Sequence, residues 1–191
     1  MAVSGSRSKM IQSAAVLMQQ HGVEATSFRR VLEHSGAPRG SIYFHFPDGK
    51  AQLVTEATRY AGDFIAAGLV AALEQGDLTT ALETFVATWR SILEQSDFAA
   101  GCPVVAATLE GARMADAVDV AGAAFAAWER LIADGLERRG VDPVRAASLA
   151  TISIAAIEGA VVLGRAQRSS APLIRVATEL RHLMSTVDVA A

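Results

Sequence analysis

Apolar positions along this chain recur at helical spacing from one end to the other. Ile11, Ala14, Ala15 and Met18 fall at i, i+3, i+4 and i+7, which predicts a first helix over about Ser8–Gln20, closed by Gly22. Thr26 or Ser27 is placed to cap a second helix with Phe28, Val31 and Leu32 inward. Ser35-Gly36-Ala37-Pro38 breaks it, and Pro38 suits the first turn of a short third helix that points Ile42 and Phe46 into the core. After Pro47-Asp48-Gly49 the helices lengthen. The pattern predicts one from Ala51 to about Glu74, ending at Gly76-Asp77, and one from Leu78 to about Gln95. A short segment over Pro103–Glu110 follows, then a long helix from about Asp116 to Arg139 closed by Gly140. Asp142-Pro143 opens the next, and Ser169 to Pro172 separates it from a last helix reaching about Val187. No segment sustains period-2 alternation. The expected fold is all-α, about nine helices, divided into residues 1–50 and 51–191.

Composition narrows the class. The chain has 191 residues, 51% of them hydrophobic and 19% charged, which is too apolar for a disordered chain. Val120–Trp128 reads as the most apolar stretch, well short of the ~20 residues that a bilayer requires, and no signal peptide follows Met1, so a soluble cytoplasmic protein away from membranes is expected. A single cysteine, Cys102, excludes an internal disulfide and a multi-cysteine zinc site. Residues 1–50 carry Arg7, Lys9, Arg29, Arg30, Arg39 and Lys50 against Glu24, Glu33 and Asp48, whereas the remainder is net acidic. A basic first quarter on an acidic body points one end toward a polyanion.

Three short helices with glycine in the second turn form the pattern of a helix-turn-helix unit. With Ile42 and Phe46 inside, Arg39, Ser41, Tyr43, Phe44 and His45 are left for the outer face of the third helix. In a major groove, rings can touch thymine methyls or sugars and an arginine can fork onto guanine. Ser27 and Lys50, at the starts of two helices, sit where amides and cations meet phosphates. No catalytic residues are expected: there is no nucleophile elbow, phosphate loop or spaced carboxylate pair. His21, His34, His45 and His182 lack i, i+4 pairing, so neither a metal nor a cofactor is expected.

The run Ala25-Thr26-Ser27-Phe28-Arg29 followed by Ser35-Gly36-Ala37-Pro38-Arg39-Gly40-Ser41-Ile42-Tyr43-Phe44-His45-Phe46-Pro47 resembles the N-terminal domain of TetR-family transcriptional repressors, over about Met10 to Val54. The longer Asp48-Gly49 spacer and Gly101-Cys102-Pro103-Val104 are similar to the LmrA-like, drug-responsive subgroup. The resemblance implies a homodimer that binds a duplex DNA operator and is released by a small-molecule inducer. By position it assigns phosphate contacts to Ser27, Tyr43, His45 and Lys50, and base reading to Arg29, Arg39, Ser41 and Phe44. Two departures stand out: Val31-Leu32 replaces the usual Ile-Ala, and Pro38 replaces a capping serine.

By the same resemblance the last two helices form the dimer surface, and the stripes Ala150, Ile154, Ile157, Val161 and Ala177, Leu180, Met184 fit such a seam. The body also carries Phe64, Phe85, Trp89, Phe125, Trp128 and Ile132, which an ordinary core needs in any case. Small residues opposite these aromatics leave room for a guest. The expectation is an apolar ligand, neutral or cationic, among Trp89, Phe125 and Trp128, with Cys102, Leu109, Glu110 and Met114 beneath a mouth at Phe98–Pro103. Glu110 or Glu158 would be its counter-charge, unless each reaches solvent or pairs with Arg113 or Arg165. The competing class, a helical enzyme or bare small-molecule binder with an incidental helix-turn-helix, would not bind duplex DNA.

Overall fold

A computed structural model describes residues 2–74 and 78–185, and the described residues form nine α-helices and one 3₁₀ turn, with no strand among them. In chain order they are α1 (Ala2–His21), α2 (Phe28–Ser35), α3 (Ser41–His45), α4 (Gly49–Glu74), α5 (Leu78–Gln95), α6 (Pro103–Thr108), the 3₁₀ turn Gly111–Met114, α7 (Ala115–Glu137), α8 (Pro143–Gln167) and α9 (Ala171–Ser185). The predicted turn at Gly76-Asp77 and the end of the last helix beyond Ser185 lie outside the described residues. The chain packs as two compact units, residues 1–64 with 102–124, and residues 65–101 with 125–191.

In the first unit α1 packs against α2, α3 and α6. Its buried face is Met10, Ser13, Ala14, Leu17 and Met18, so Met10 takes the inward place and Ile11 is left half-buried at the edge. Ser27 caps α2 by accepting from the Arg30 amide, and Gly36 ends it in the left-handed conformation at φ +66°. Helix α3 starts later than the proline predicts. Pro38 lies in the preceding turn, where its carbonyl accepts from the Ser41 amide and hydroxyl at 3.0 and 2.6 Å, so Arg39 stands on that turn and not on the helix. With the imide of Pro38 unable to donate, the turn closes through Ser41 instead. Ile42, Val31 and Phe46 are all but fully buried beneath it.

In the second unit α8 and α9 pack together and both lie on α5. Asp142 caps α8 by accepting from the amides of Val144 and Arg145 at 3.0 and 3.1 Å. Contrary to the composition reading, α8 is long and apolar enough to cross a membrane. Ser148, Thr151 and Ser153 interrupt its apolar run without adding charge, and hydroxyls bonded to the preceding turn, as Ser148 and Ser153 are, tax an apolar helix little. One of its faces (Leu149, Ala150, Ser153, Ile157, Ala160, Val161) is buried in the unit, as expected of a core helix. The stripes read as a dimer seam are therefore largely internal: Ala150, Ile157, Val161, Ala177, Leu180 and Met184 are buried within the protomer and Ile154 is half-buried. The outward face of α8 carries Ile152, Ala155, Gly159, Val162, Leu163 and Ala166, and Ile174 is exposed on α9. At the end of α5, Glu94 accepts from Arg90 and Ser170 at 2.8 and 3.0 Å, and those bonds hold its carboxyl below the ordinary glutamate range.

Two glycines in the helix-turn-helix differ in a way that stability measurements read directly. Gly36 sits at positive φ with open space around its α-carbon, so Gly36→Ala should destabilise by about 1 kcal/mol through backbone conformation alone. Gly40 has φ −76° and equally open surroundings, so Gly40→Ala should be neutral or stabilising by up to about 1 kcal/mol. Urea unfolding of the two variants checks the sign of each.

Candidate nucleic-acid interface and ligand cavity

The first unit presents a row of exposed groups that its own packing does not require. Tyr43 and Phe44 are 69% and 76% exposed, values that an aromatic side chain pays for in water unless something covers it. Their positions are nevertheless fixed. The Tyr43 ring meets Phe28 edge-on at 5.5 Å, and Phe44 meets the ring of His45 edge-on at 5.3 Å. Arg39 is exposed on the turn before them, and Ser41 is half-buried with its hydroxyl donating to the Pro38 carbonyl. Arg29 is exposed on α2 and loosely paired with Glu33 at 4.0 Å, a surface pair of little strength. His45 differs from its neighbours: it is 9% exposed, held between Phe44 and Phe46, and most of its ring serves the packing under α3.

A second cluster forms where α2 and α4 begin. Ser27 accepts from the Arg30 amide at 3.3 Å, which leaves its hydroxyl hydrogen to donate outward. Lys50 donates to the Glu24 carbonyl at 2.9 Å, and Arg30 donates to the Ala25 carbonyl at 3.2 Å. Both cations thus hold one loop, the one that leads into α2, through neutral acceptors. The sequence marks Lys50 but treats Arg30 as solvated. Only folding reveals its grip on a carbonyl five residues back. The sequence counts Arg7 only toward the basic first quarter and singles out neither Gln52 nor Glu56, yet the three meet at the end of α3. Arg7 bonds Glu56 across 49 positions, a separation that leaves no local signal, whereas Gln52 and Glu56 at i, i+4 are legible as a helix pair.

The second unit holds a half-open apolar cavity of about 630 Å³, open solvent at its mouth included. Leu69, Leu82, Phe85, Ile132, Ile157 and Met184 supply much of an apolar wall, with Trp128 among them. Ser153 and Glu158 are its polar members. The Ser153 hydroxyl is spent on the Leu149 carbonyl at 2.7 Å, and the Oε2 of Glu158 is buried. Two of the sequence-predicted ligand residues, Trp128 and Glu158, line this space. Phe125, half-buried, stands edge-on to Trp128 at 5.0 Å, and Trp89 is buried edge-on to Phe85 at 6.4 Å; neither lines the cavity itself. Cys102, Leu109, Glu110 and Met114 belong to the first unit and are not among the lining residues: Cys102 is buried, Leu109 is exposed, and Glu110 and Met114 are half-buried.

Comparison with known proteins agrees with both halves. Residues 10–57 match the bacterial regulatory proteins of the TetR family, and residues 79–179 match the C-terminal domain of LmrA/YxaF-like transcriptional regulators. An uncharacterized HTH-type transcriptional regulator of Mycobacterium tuberculosis is 39% identical over 188 residues, 95% of each chain. The HTH-type transcriptional regulator LmrA of Bacillus subtilis is 26% identical over 96% of this chain and 99% of its own. Among solved structures, the regulatory protein TetR from Rhodobacter sphaeroides superposes with a TM-score of 0.81 at 20% identity, covering 92% of this chain and 96% of that one. With one match over the helix-turn-helix and another over more than half of the chain, the chain belongs to the TetR family of DNA-binding transcriptional regulators, in its LmrA/YxaF-like branch.

Proposed function

We propose that this regulator is a cytoplasmic homodimeric repressor, released from a palindromic operator by a small apolar molecule. The observation that carries it is the pairing of exposed, positioned aromatics on α3 with an apolar cavity containing a carboxylate in the other unit. In this reading Arg29, Arg39, Ser41 and Phe44 read base edges, while Ser27, Tyr43 and Lys50 take phosphates, with His45 adding at most an edge of its ring. A twofold dimer would set two α3 helices into successive major grooves about 34–36 Å apart. The dimer seam is the outward stripe of α8 (Ile152, Ala155, Gly159, Val162) with Ile174 of α9, an unpartnered apolar face on a helix already apolar within. The ligand takes the cavity beside Trp128, with Glu158 favouring a cationic group over a neutral one. Helix α4 carries residues of both units, and through it ligand and DNA oppose each other.

Arg39→Ala should lose about 1–3 kcal/mol on an enriched duplex and relax base preference at one position per half-site. Phe44→Ala should unfold within about 0.5 kcal/mol of the parent yet lose DNA affinity, whereas Ile42→Ala should lose about 2–5 kcal/mol of stability. Duplexes selected from random sequence, tested by fluorescence anisotropy and urea unfolding, separate these effects, and equal losses of Arg39→Ala on cognate and random DNA would remove its base-reading role. In sedimentation, Val162→Glu should give monomers at micromolar concentration while keeping the helical spectrum. A dimer unchanged by it would place the seam elsewhere. Titration with hydrophobic cations and matched neutral aromatics should quench tryptophan emission and release DNA together. Glu158→Gln should erase the preference for cations, and a ligand that quenches without release would break the coupling.

A further inference from the structure

A helix of five residues cannot hold its own direction, because helix nucleation is unfavourable and α3 barely completes a turn. Burial of Ile42 and Phe46 anchors its inner side, but rotation about that anchor must be stopped from outside. The structure supplies a stop at the C-terminal end. The Arg7 guanidinium lies over the Phe46 ring, 5.4 Å from its centroid. The same guanidinium bonds Glu56 Oε2 at 2.5 Å. The other oxygen of Glu56 accepts from Gln52 Nε2 at 3.0 Å, and Gln52 Oε1 accepts from the Asp48 amide at 3.1 Å. One carboxylate therefore holds two arms, one resting on the ring that ends α3 and one on the backbone two residues beyond it. The pair is partly shielded, with side-chain exposures of 40% for Arg7 and 17% for Glu56.

From this geometry we infer that Glu56 is a positioning residue for DNA recognition: it sets the orientation of α3 through Arg7 on Phe46 and Gln52 on Asp48. The sign of its effect distinguishes this from plain electrostatics. An acid in a DNA-binding unit repels phosphate, so removing it should tighten binding to every duplex by charge alone. A positioning residue does the opposite on the correct sequence only, because a misaimed α3 loses base contacts and keeps its attraction to backbone phosphate. This inference rests on α3 being the base-reading helix.

The experiment uses the full chain and two duplexes of equal length and composition, the sequence enriched from random DNA by the parent protein and a scrambled one. Glu56→Gln should lower the ratio of enriched to scrambled affinity about three- to tenfold while scrambled binding holds or tightens. Arg7→Met should lower the same ratio, on top of a uniform loss on both duplexes from its missing charge, the ratio in the double variant should be no lower than in either single one, and Arg7→Lys should keep most of the ratio. Gln52→Ala, a milder change at a half-buried position, gives the same readout if Glu56→Gln unfolds. An unchanged ratio with only a lower Tm, equal losses on both duplexes, or single losses of the ratio that multiply in the double variant would overturn the inference. Phe44→Ala, on α3 itself and exposed, serves as the control. If it too leaves the ratio unchanged, the reading of α3 as the recognition helix fails instead.

Discussion

Burial of Ile42 and Phe46 is the contact on which the exposed face of α3 depends. Two apolar side chains at i and i+4 give one short helix a fixed inner side, and the residues on its outer side are then free of packing duty. Removing either ring or branch leaves a segment with too few hydrogen bonds to remain helical. This explains why exposed Tyr43 and Phe44 are tolerable. Their solvation penalty falls on a helix whose position is already determined by its neighbours, and the edge contacts to Phe28 and His45 remove further freedom that binding would otherwise have to take away.

Helix α8 shows a second constraint, in which one segment serves two apolar faces. A helix with one buried face is amphipathic, and its periodicity tells the reader which side is inside. Apolar residues on the inward side (Leu149, Ile157, Val161) and the outward side (Ile152, Val162, Leu163) cancel that signal. The sequence then offers a uniform apolar helix. A membrane span, a fully enclosed core helix and an oligomer seam all meet that description. What composition leaves open for the inward face is given by α8's lateral packing on α5 and α9, which buries it as a core helix.

Legibility followed the range of the interactions. Capping by Ser27 and Asp142, the left-handed turns at Gly36 and Gly140, and the α5 helix from Leu78 to Gln95 are local, and the residues declare them. Met10 was missed as a core residue because Ile11 fits the same stripe and only the packing of α1 chooses between them. Pro38 was placed inside α3 because proline favours a first helical turn, yet here Ser41 closes the turn back onto its carbonyl and the helix begins three residues later. The candidate ligand residues divided for a similar reason. Trp128 and Glu158 come together across α7 and α8, whereas Cys102, Leu109, Glu110 and Met114 are neighbours in sequence that packing assigns to the other unit.

A cavity among large apolar side chains needs its own reason to persist, since dispersion and hydration both favour closing it. Here the wall mixes residues that could collapse inward, such as Leu69, Leu82 and Met184, with Trp128 and Glu158, which could not do so cheaply. Trp128 is braced by Phe125 at its edge, and a carboxylate moved deeper into a collapsed apolar core would lose whatever solvation it retains. A Glu at this position therefore opposes closure, which gives the single acid of α8 a physical role in keeping the cavity open.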